Sequence, residues 1–140
     1  SSLQPKNDPR FTEIVAHTST QLHFPSGVVA QLGTSYDSYP INAVSARGSR
    51  GALEMQPATG YGGNVMTLLK DRTEEELTPG DSGVQFSRML SHFADAVRTG
   101  GAILTPGEMG LRDVRLMEAI YQAAASGRTL ALNPDGTVRA

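Results

Sequence analysis

The chain has 140 residues, of which 39% are hydrophobic and 19% are charged, a composition typical of a folded globular domain. A net charge of −2 gives no electrostatic footprint for nucleic acid or an anionic membrane surface, so we expect neither partner. No apolar run in the sequence is long enough to span a bilayer. The sequence has no cysteine, which excludes disulfide bonds and thiolate sites.

The first residues differ in character from the rest. Residues 1–9 are polar and are interrupted by Pro5 and Pro9, so we expect an extended or disordered linker there. Residues 10–140 carry periodic apolar patterns throughout, and their number suits one domain of ordinary size.

Alternating apolar and polar residues predict strands in the first half of the chain. The turn Pro25–Gly27 joins the first two strands into a hairpin, and Gly48–Gly51 joins the next two. The acidic segment Thr73–Pro79 is expected to be a solvated connection. The predicted strands are Phe11–Phe24, Val28–Tyr36, Ala43–Arg47, Ala52–Gln56 and Val65–Lys70.

Two helices follow the strands. In the first, Asp81 or Ser82 is the predicted N-cap and Gly100 the predicted stop. In the second, Thr105 is the predicted N-cap, with Pro106 and Glu108 completing a capping box. Apolar residues at helical spacing form one stripe on each helix, and each stripe is expected to cover the sheet. The stripes are Phe86, Leu90, Phe93 and Val97 in the first helix, and Leu111, Val114, Met117, Ile120, Tyr121 and Ala124 in the second.

The second helix is predicted to end at Gly127, and Thr129–Leu132 to form a last strand. Hairpins followed by helices with a single apolar face indicate an α+β fold. We therefore expect a largely antiparallel open β-sheet with two helices on one face. The other face of the sheet remains uncovered.

The first long strand shows which residues the uncovered face would carry. Alternation places Leu22 and Phe24 on the helix side, and His17, Ser19, Gln21 and His23 on the opposite side. An antiparallel sheet tolerates either water or another protein on such a face. Both possibilities remain, and we favour a homodimer interface through these four residues.

Motifs that would indicate catalysis do not form a complete set. Gly80–Gly83 spells GDSG, as in the nucleophile loop of serine proteases, but a helix cap with a glycine turn explains it better. His17 and His23 lie six residues apart, roughly 20 Å along a strand, so this pair cannot hold one zinc ion. We predict no catalytic and no metal-binding residue in this chain.

Glycines surround one tyrosine in the middle of the chain. The segment Gly60–Gly63 spells GYGG, which differs from the GxGxxG of dinucleotide-binding loops, so we predict no cofactor-binding residue either. A flexible turn is the simplest interpretation. Tyr61 is then the aromatic residue most exposed to a ligand, although packing within the loop is an equal alternative.

Several segments in order resemble the C-terminal domain of the Gfo/Idh/MocA oxidoreductases, in particular the glucose–fructose oxidoreductase type. The resemblance extends from Asp8 to about Asn133 and rests on the order and spacing of its motifs together. The motifs are DPRF (8–11), LHFPSGVV (22–29), GTSYDS (33–38), ARGSRGALEMQPATGY (46–61), FSRMLSHFADAVRTG (86–100) and LTPGEMGLRDVRLMEAIYQAAASGRTL (104–130).

This resemblance implies an NAD(P)-dependent sugar oxidoreductase in which a Rossmann domain, absent from this chain, holds the cofactor. The family's Glu-Lys-Pro motif and its acid/base helix are not found here either. The chain alone would be inactive, shaping the sugar pocket, with Tyr61 as its candidate, and mediating assembly. A free-standing binding or assembly module without catalysis is the alternative. The resemblance implies a cytoplasmic protein, with periplasmic export possible.

Overall fold

A computed structural model describes residues 1–3, 5, 8–77 and 83–139. Within these residues, seven strands and two α-helices follow the order in which the sequence predicts strands and helices, and the α+β class with open antiparallel sheets is confirmed. A 3-10 turn, Pro9–Phe11, precedes the first long strand. The elements are β1 (Ser2–Leu3), β2 (His17–His23), β3 (Val29–Ser35), β4 (Val44–Gly48), β5 (Gly51–Met55), β6 (Met66–Lys70), β7 (Thr73–Glu76), α1 (Val84–Thr99) and α2 (Gly107–Ser126).

The chain divides into two compact units, each with its own sheet and helix. The first unit comprises Ser1–Tyr39 and Leu104–Ala140, and its sheet has the order β1-β2-β3. The second unit, Pro40–Ile103, has the order β4-β5-β6-β7. Every pair of neighbouring strands in both sheets is antiparallel. The helix α2 belongs to the first unit and α1 to the second.

Two segments that are not predicted to be strands each form a strand in the structure. Ser2–Leu3, in the segment predicted to be a linker, pairs with the beginning of β2. Thr73–Glu76 was expected to be a solvated connection, and that expectation is wrong, because this segment pairs with β6 as β7. All four β7 residues are exposed, so the edge strand is held by its ladder and the tight turn at Asp71 and Arg72, both at positive φ. A polar edge strand has no apolar alternation from which sequence analysis could detect it.

The helix ends confirm some capping predictions and correct another. Gly100 and Gly127 adopt the left-handed conformation after α1 and α2, at φ 67° and 65°. The N-cap of α2 is Pro106 and not Thr105, and no side chain bonds there, so the predicted capping box is wrong. The carbonyl of Pro106 instead accepts from the amide of Met109 at 3.0 Å. The predicted cap at Asp81 or Ser82 lies outside the described residues.

The side chains that are buried on the two helices are not the large apolar residues that the predicted stripes place towards the sheet. Ala96 on α1 and Ala119 on α2 are buried, whereas most of the large side chains of the predicted stripes are about half exposed or more. In α2, the side chains of Leu116, Ile120 and Ala123 are half buried on the same side as Ala119. The exposed members of the predicted stripes are Phe86, Leu90, Phe93, Val97, Leu111, Val114, Met117 and Tyr121.

The total surface shows how much of the molecule lacks a covering. The accessible surface is 11423 Å². A compact chain of this mass exposes about 7,000 Å², and two separate compact bodies of half the mass would together expose about 8,500 Å². The accessible surface of the chain exceeds both values, so the excess surface does not depend on how the two units are arranged. Large apolar side chains are exposed in both units, for example Leu32 and Tyr36 in the first and Val44 and Tyr61 in the second.

The chain after α2 forms one isolated bridge followed by a turn, and the predicted strand Thr129–Leu132 is absent from the described residues. Thr129–Leu132 contributes only a single bridge, between Leu132 and Val138, so the predicted last strand is wrong. The amide of Asn133 donates to the carbonyl of Thr137 at 2.8 Å, and the amide of Gly136 to the carbonyl of Asn133 at 3.0 Å. Neither α1 nor α2 is long and apolar enough to cross a membrane.

Candidate functional site

The strand β2 presents three of the four predicted interface residues together. Ser19, Gln21 and His23 are exposed, while Thr18, Thr20 and Leu22 between them are half buried. This alternation agrees with the two faces predicted from the sequence. The Nε2 atom of His23 lies 3.0 Å from Oε1 of Gln21, so their side chains form one polar patch.

The fourth predicted interface residue, His17, lies among charged residues instead. Its Nε2 atom is 4.0 Å from Oδ2 of Asp37. Arg10 donates to Oδ2 of Asp8 at 2.7 Å and to Oδ1 of Asp37 at 2.9 Å, which links the N-terminal segment to the end of β3. The hydrogen bond from the Arg10 side chain lowers the pKa of Asp8, and the bond to Asp8 raises the pKa of Arg10. The Arg10–Asp8 pair therefore stays ionised at neutral pH, and the bonds of Arg10 connect the start of the unit to Asp37.

A cleft of about 700 Å³ lies in the first unit between β2 and α2. The β2 side is lined by consecutive residues from both faces of the strand, Ser19, Thr20, Gln21, Leu22 and His23. The opposite side comes from α2 and from the segment after it, and it is mainly apolar apart from Arg128 and Thr129. The apolar lining residues there include Leu116, Ala119, Ile120, Ala123, Leu130 and Leu132.

The turn after α2 holds the segment that lines this cleft. Nη1 of Arg115 donates to Oδ2 of Asp135 at 3.1 Å. Oδ1 of Asp135 accepts from the hydroxyl of Thr137 at 2.7 Å, and that hydrogen bond is the main cause of the lowered pKa of Asp135. This anchor is not among the features predicted from the sequence, although the NPDG of residues 133–136 is a strong turn signal.

Tyr61 lies in the second unit on a loop that a distant asparagine fixes. The carbonyl of Asn42 accepts from the amide of Ala58 at 3.0 Å, and its Oδ1 accepts from the amide and hydroxyl of Thr59 at 3.1 and 2.9 Å. The ring of Tyr61 is tilted against that of Phe86 with centroids 5.3 Å apart, yet the residue is 76% exposed. Phe86 thus contacts the Tyr61 ring, and most of that ring remains open to a ligand.

The residues that the structure describes do not fit a dinucleotide. A pyrophosphate site of that kind needs parallel strands and a glycine-rich turn that opens a helix. The strands of both sheets pair antiparallel, and the glycines beside Tyr61 lead into the strand β6. In the described part of the chain, no group of three or more His, Asp or Glu residues could hold a metal ion.

Comparison with known proteins assigns the chain to a family. Residues 2–132 match the oxidoreductase family C-terminal alpha/beta domain, the GFO_IDH_MocA_C family. The chain belongs to this family, and the resemblance to Gfo/Idh/MocA oxidoreductases is confirmed.

Two relatives show what kinds of protein carry such a domain. A D-xylose 1-dehydrogenase (NADP(+)) from Haloferax volcanii is 27% identical over 131 residues, covering 90% of this chain. The crystal structure of an aldose-aldose oxidoreductase from Caulobacter crescentus, complexed with glycerol, is 34% identical with a TM-score of 0.83 and covers 94% of this chain. The chain spans 39% of the length of each relative.

Proposed function

We propose that this chain is the C-terminal domain of an NAD(P)-dependent sugar oxidoreductase, in which it shapes the sugar pocket and mediates subunit assembly. The relatives named above act on sugars by their names, and one is NADP-dependent. The large apolar side chains left exposed on both units carry the proposal, together with a total accessible surface that exceeds what a compact domain of this mass exposes. Residues 10–140 would form the domain, preceded by a linker that supplies β1.

The residues present in this chain indicate which parts of the reaction it would support and which another domain would supply. The described residues do not fit a dinucleotide, so a Rossmann domain outside this chain would hold NAD(P) and supply the proton-transfer groups. The chain alone would then be inactive. Its contribution would be binding surface, because its exposed groups position a substrate or a partner and none forms a catalytic set.

Tyr61 is the proposed wall of the sugar pocket. Aromatic faces with a few polar groups are typical linings of small-molecule sites. The carbonyl of Tyr61 accepts from Nε2 of Gln85 at 3.3 Å, which helps to hold the loop against the start of α1. With Phe86 behind the ring, the open face can lie against the apolar face of a sugar.

Replacing Tyr61 by alanine in the full-length protein should lower kcat/KM for an aldose such as D-xylose about tenfold, because the stacking surface is lost. Steady-state kinetics with NADP⁺ at saturation measures the change. Tyr36→Ala is the matched control, since Tyr36 is also an exposed tyrosine but lies in the first unit. Its kcat/KM should remain unchanged.

Two results would contradict the proposal at different levels. Equal kinetics for Tyr61→Ala and the unaltered protein would remove Tyr61 from the pocket and leave the oxidoreductase intact. A coding sequence around this chain without a dinucleotide-binding domain would contradict the oxidoreductase itself. The free-standing binding or assembly module would then be the better account.

The exposed polar face of β2 is the proposed homodimer interface. Replacing Gln21 by glutamate should weaken self-association by about tenfold, because two like charges then meet across a two-fold axis. Sedimentation equilibrium over a range of concentrations measures this change. Gln122→Glu adds the same charge at an exposed position on α2, and its dimer should remain as tight as the unaltered one. A chain that stays monomeric at high concentration would contradict the interface.

A further inference from the structure

The side chain of Asn64, which follows the glycines beside Tyr61, has a buried oxygen without a partner. Its Oδ1 atom is shielded from solvent, and no donor among the described residues bonds to it. In the part of the chain that the structure describes, no other buried side-chain oxygen or nitrogen lacks a partner. Because an unpaired buried acceptor destabilises a folded protein, this atom requires an explanation.

The Tyr61 loop, Gly60–Gly63, lies against this oxygen. A Cβ atom placed on Gly60 would be 3.5 Å from Oδ1 of Asn64 and 3.5 Å from the carbonyl oxygen of Gly62. Gly60 therefore meets the Asn64 amide with its main chain and has no side chain to place over it. A shift of this glycine-rich main chain would open the oxygen to a ligand beside Tyr61.

The same loop also offers main-chain donors. The amides of Tyr61, Gly62 and Gly63 have no acceptor among the described residues. The carbonyl of Tyr61 is already in use, because Nε2 of Gln85 donates to it at 3.3 Å. A sugar hydroxyl both donates and accepts, so free N–H groups, an unpaired acceptor and an exposed aromatic ring together match a polyhydroxylated ligand.

Given the function proposed above, we propose that Oδ1 of Asn64 accepts a hydrogen bond from one hydroxyl of the aldose. The aldose lies against the Tyr61 ring, the loop shifts, and the hydroxyl supplies the donor that Oδ1 lacks in the free protein. Only a sugar with a hydroxyl at the matching position gains this bond. Asn64 is then a specificity-determining residue, because a sugar without that hydroxyl leaves the buried oxygen unpaired.

A buried water is the alternative partner for this oxygen. A water would satisfy Oδ1 in the same way with every sugar, so replacing Asn64 would then change the reaction of all sugars by one common factor. A hydroxyl of the substrate predicts a different result, because the effect of replacing Asn64 then depends on which hydroxyls the sugar carries.

A cycle that combines substitution of Asn64 with removal of single sugar hydroxyls separates the two accounts in the full-length protein. Steady-state kinetics with NADP⁺ at saturation gives kcat/KM for D-xylose and for its 2-, 3- and 4-deoxy analogues. For one analogue, the loss of kcat/KM relative to D-xylose should be at least about tenfold larger in the unaltered protein than in Asn64→Ala. Comparing the two proteins cancels the intrinsic effect of the missing hydroxyl on the reaction.

Two further variants test whether the acceptor oxygen is responsible. Asn64→Leu is close to asparagine in size but has no acceptor, so it should lose the same discrimination as Asn64→Ala and replaces it if alanine prevents folding. Asn64→Asp keeps an acceptor oxygen and should retain the discrimination. Asn42→Ala is the matched control, because Oδ1 of Asn42 is already paired with Thr59 in the same segment. It should change kcat/KM for all four sugars by one common factor.

The possible failures are distinguishable. If the four sugars keep the same relative kcat/KM in the unaltered protein and in the variants without an acceptor, the role of Asn64 is overturned and the oxidoreductase stands. If Asn42→Ala removes the same discrimination as Asn64→Ala, the effect comes from loop position and the role of Asn64 is again overturned. A full-length protein that oxidises no aldose would contradict the proposed function and the role of Asn64 together.

Discussion

Replacing Gly136 by alanine should lower the free energy of unfolding by about 2–4 kcal/mol, through strain and a close contact together. Gly136 has a φ of 86°, a conformation that disfavours a Cβ atom. An added Cβ would also lie 2.8 Å from the carbonyl oxygen of Arg112 and 3.1 Å from Cβ of Arg115. Both neighbours belong to α2, so either the turn or the helix must move.

Urea denaturation measures this loss, and Gly127→Ala is its matched control. Gly127 also has a positive φ, of 65°, but nothing lies within 4 Å of its added Cβ. Only the conformational cost remains there, about 1 kcal/mol. The difference between the two variants isolates the close approach of the turn to α2. Equal losses would show that the turn does not pack against the helix.

The strands were predictable wherever local alternation and turn residues agree. Four of the six predicted strands have counterparts within about one residue of their predicted ends, because their apolar period and turns are local features. The predicted start of the first strand, Phe11, lies before the observed start of β2, because Asp8 caps a 3-10 turn at Pro9–Phe11. Thr129–Leu132 is apolar enough for a strand, yet its neighbour across the NPDG turn, Val138, provides only one bridge.

Contacts between residues distant in sequence explain what could not be predicted about the candidate site. The surroundings of Tyr61 depend on Asn42 and Phe86, which lie far from it in sequence. Exposure of Tyr61 itself followed from its glycine neighbours. Likewise, alternation places His17 with Gln21 and His23 on one face, but only the folded chain brings Asp37, which Arg10 also contacts, beside His17.

The helices show why apolar periodicity does not by itself identify the packed face. Both helices carry small residues beside their large apolar side chains, and the buried positions are the alanines Ala96 and Ala119. A pattern weighted by hydrophobicity selects the larger residues, such as Phe93 and Val97 in α1. A helix that is apolar on two sides can cover its own unit with one side and a further surface with the other. This arrangement fits a domain that works within a larger protein.

Neighbouring substitutions on α1 distinguish the two faces directly. Ala96→Glu should lower the free energy of unfolding by about 2–4 kcal/mol, because Ala96 is 8% exposed and a charge would be buried there. Val97→Glu should change it by no more than about 0.5 kcal/mol, because Val97 is 69% exposed and glutamate suits a helix better than valine. Urea denaturation of both variants of this chain measures the contrast.

The predicted stripe implies the opposite order, which makes the comparison decisive. If Val97 faced the sheet as the apolar period suggested, Val97→Glu would be the damaging change and Ala96→Glu the mild one. That result would mean that α1 covers its sheet with the large side chains and that the surface available to a partner is smaller. The expected order instead leaves Phe93 and Val97 free on the outer face of α1. A partner surface would then bury them on assembly, and Val97→Glu would weaken that assembly without unfolding the chain.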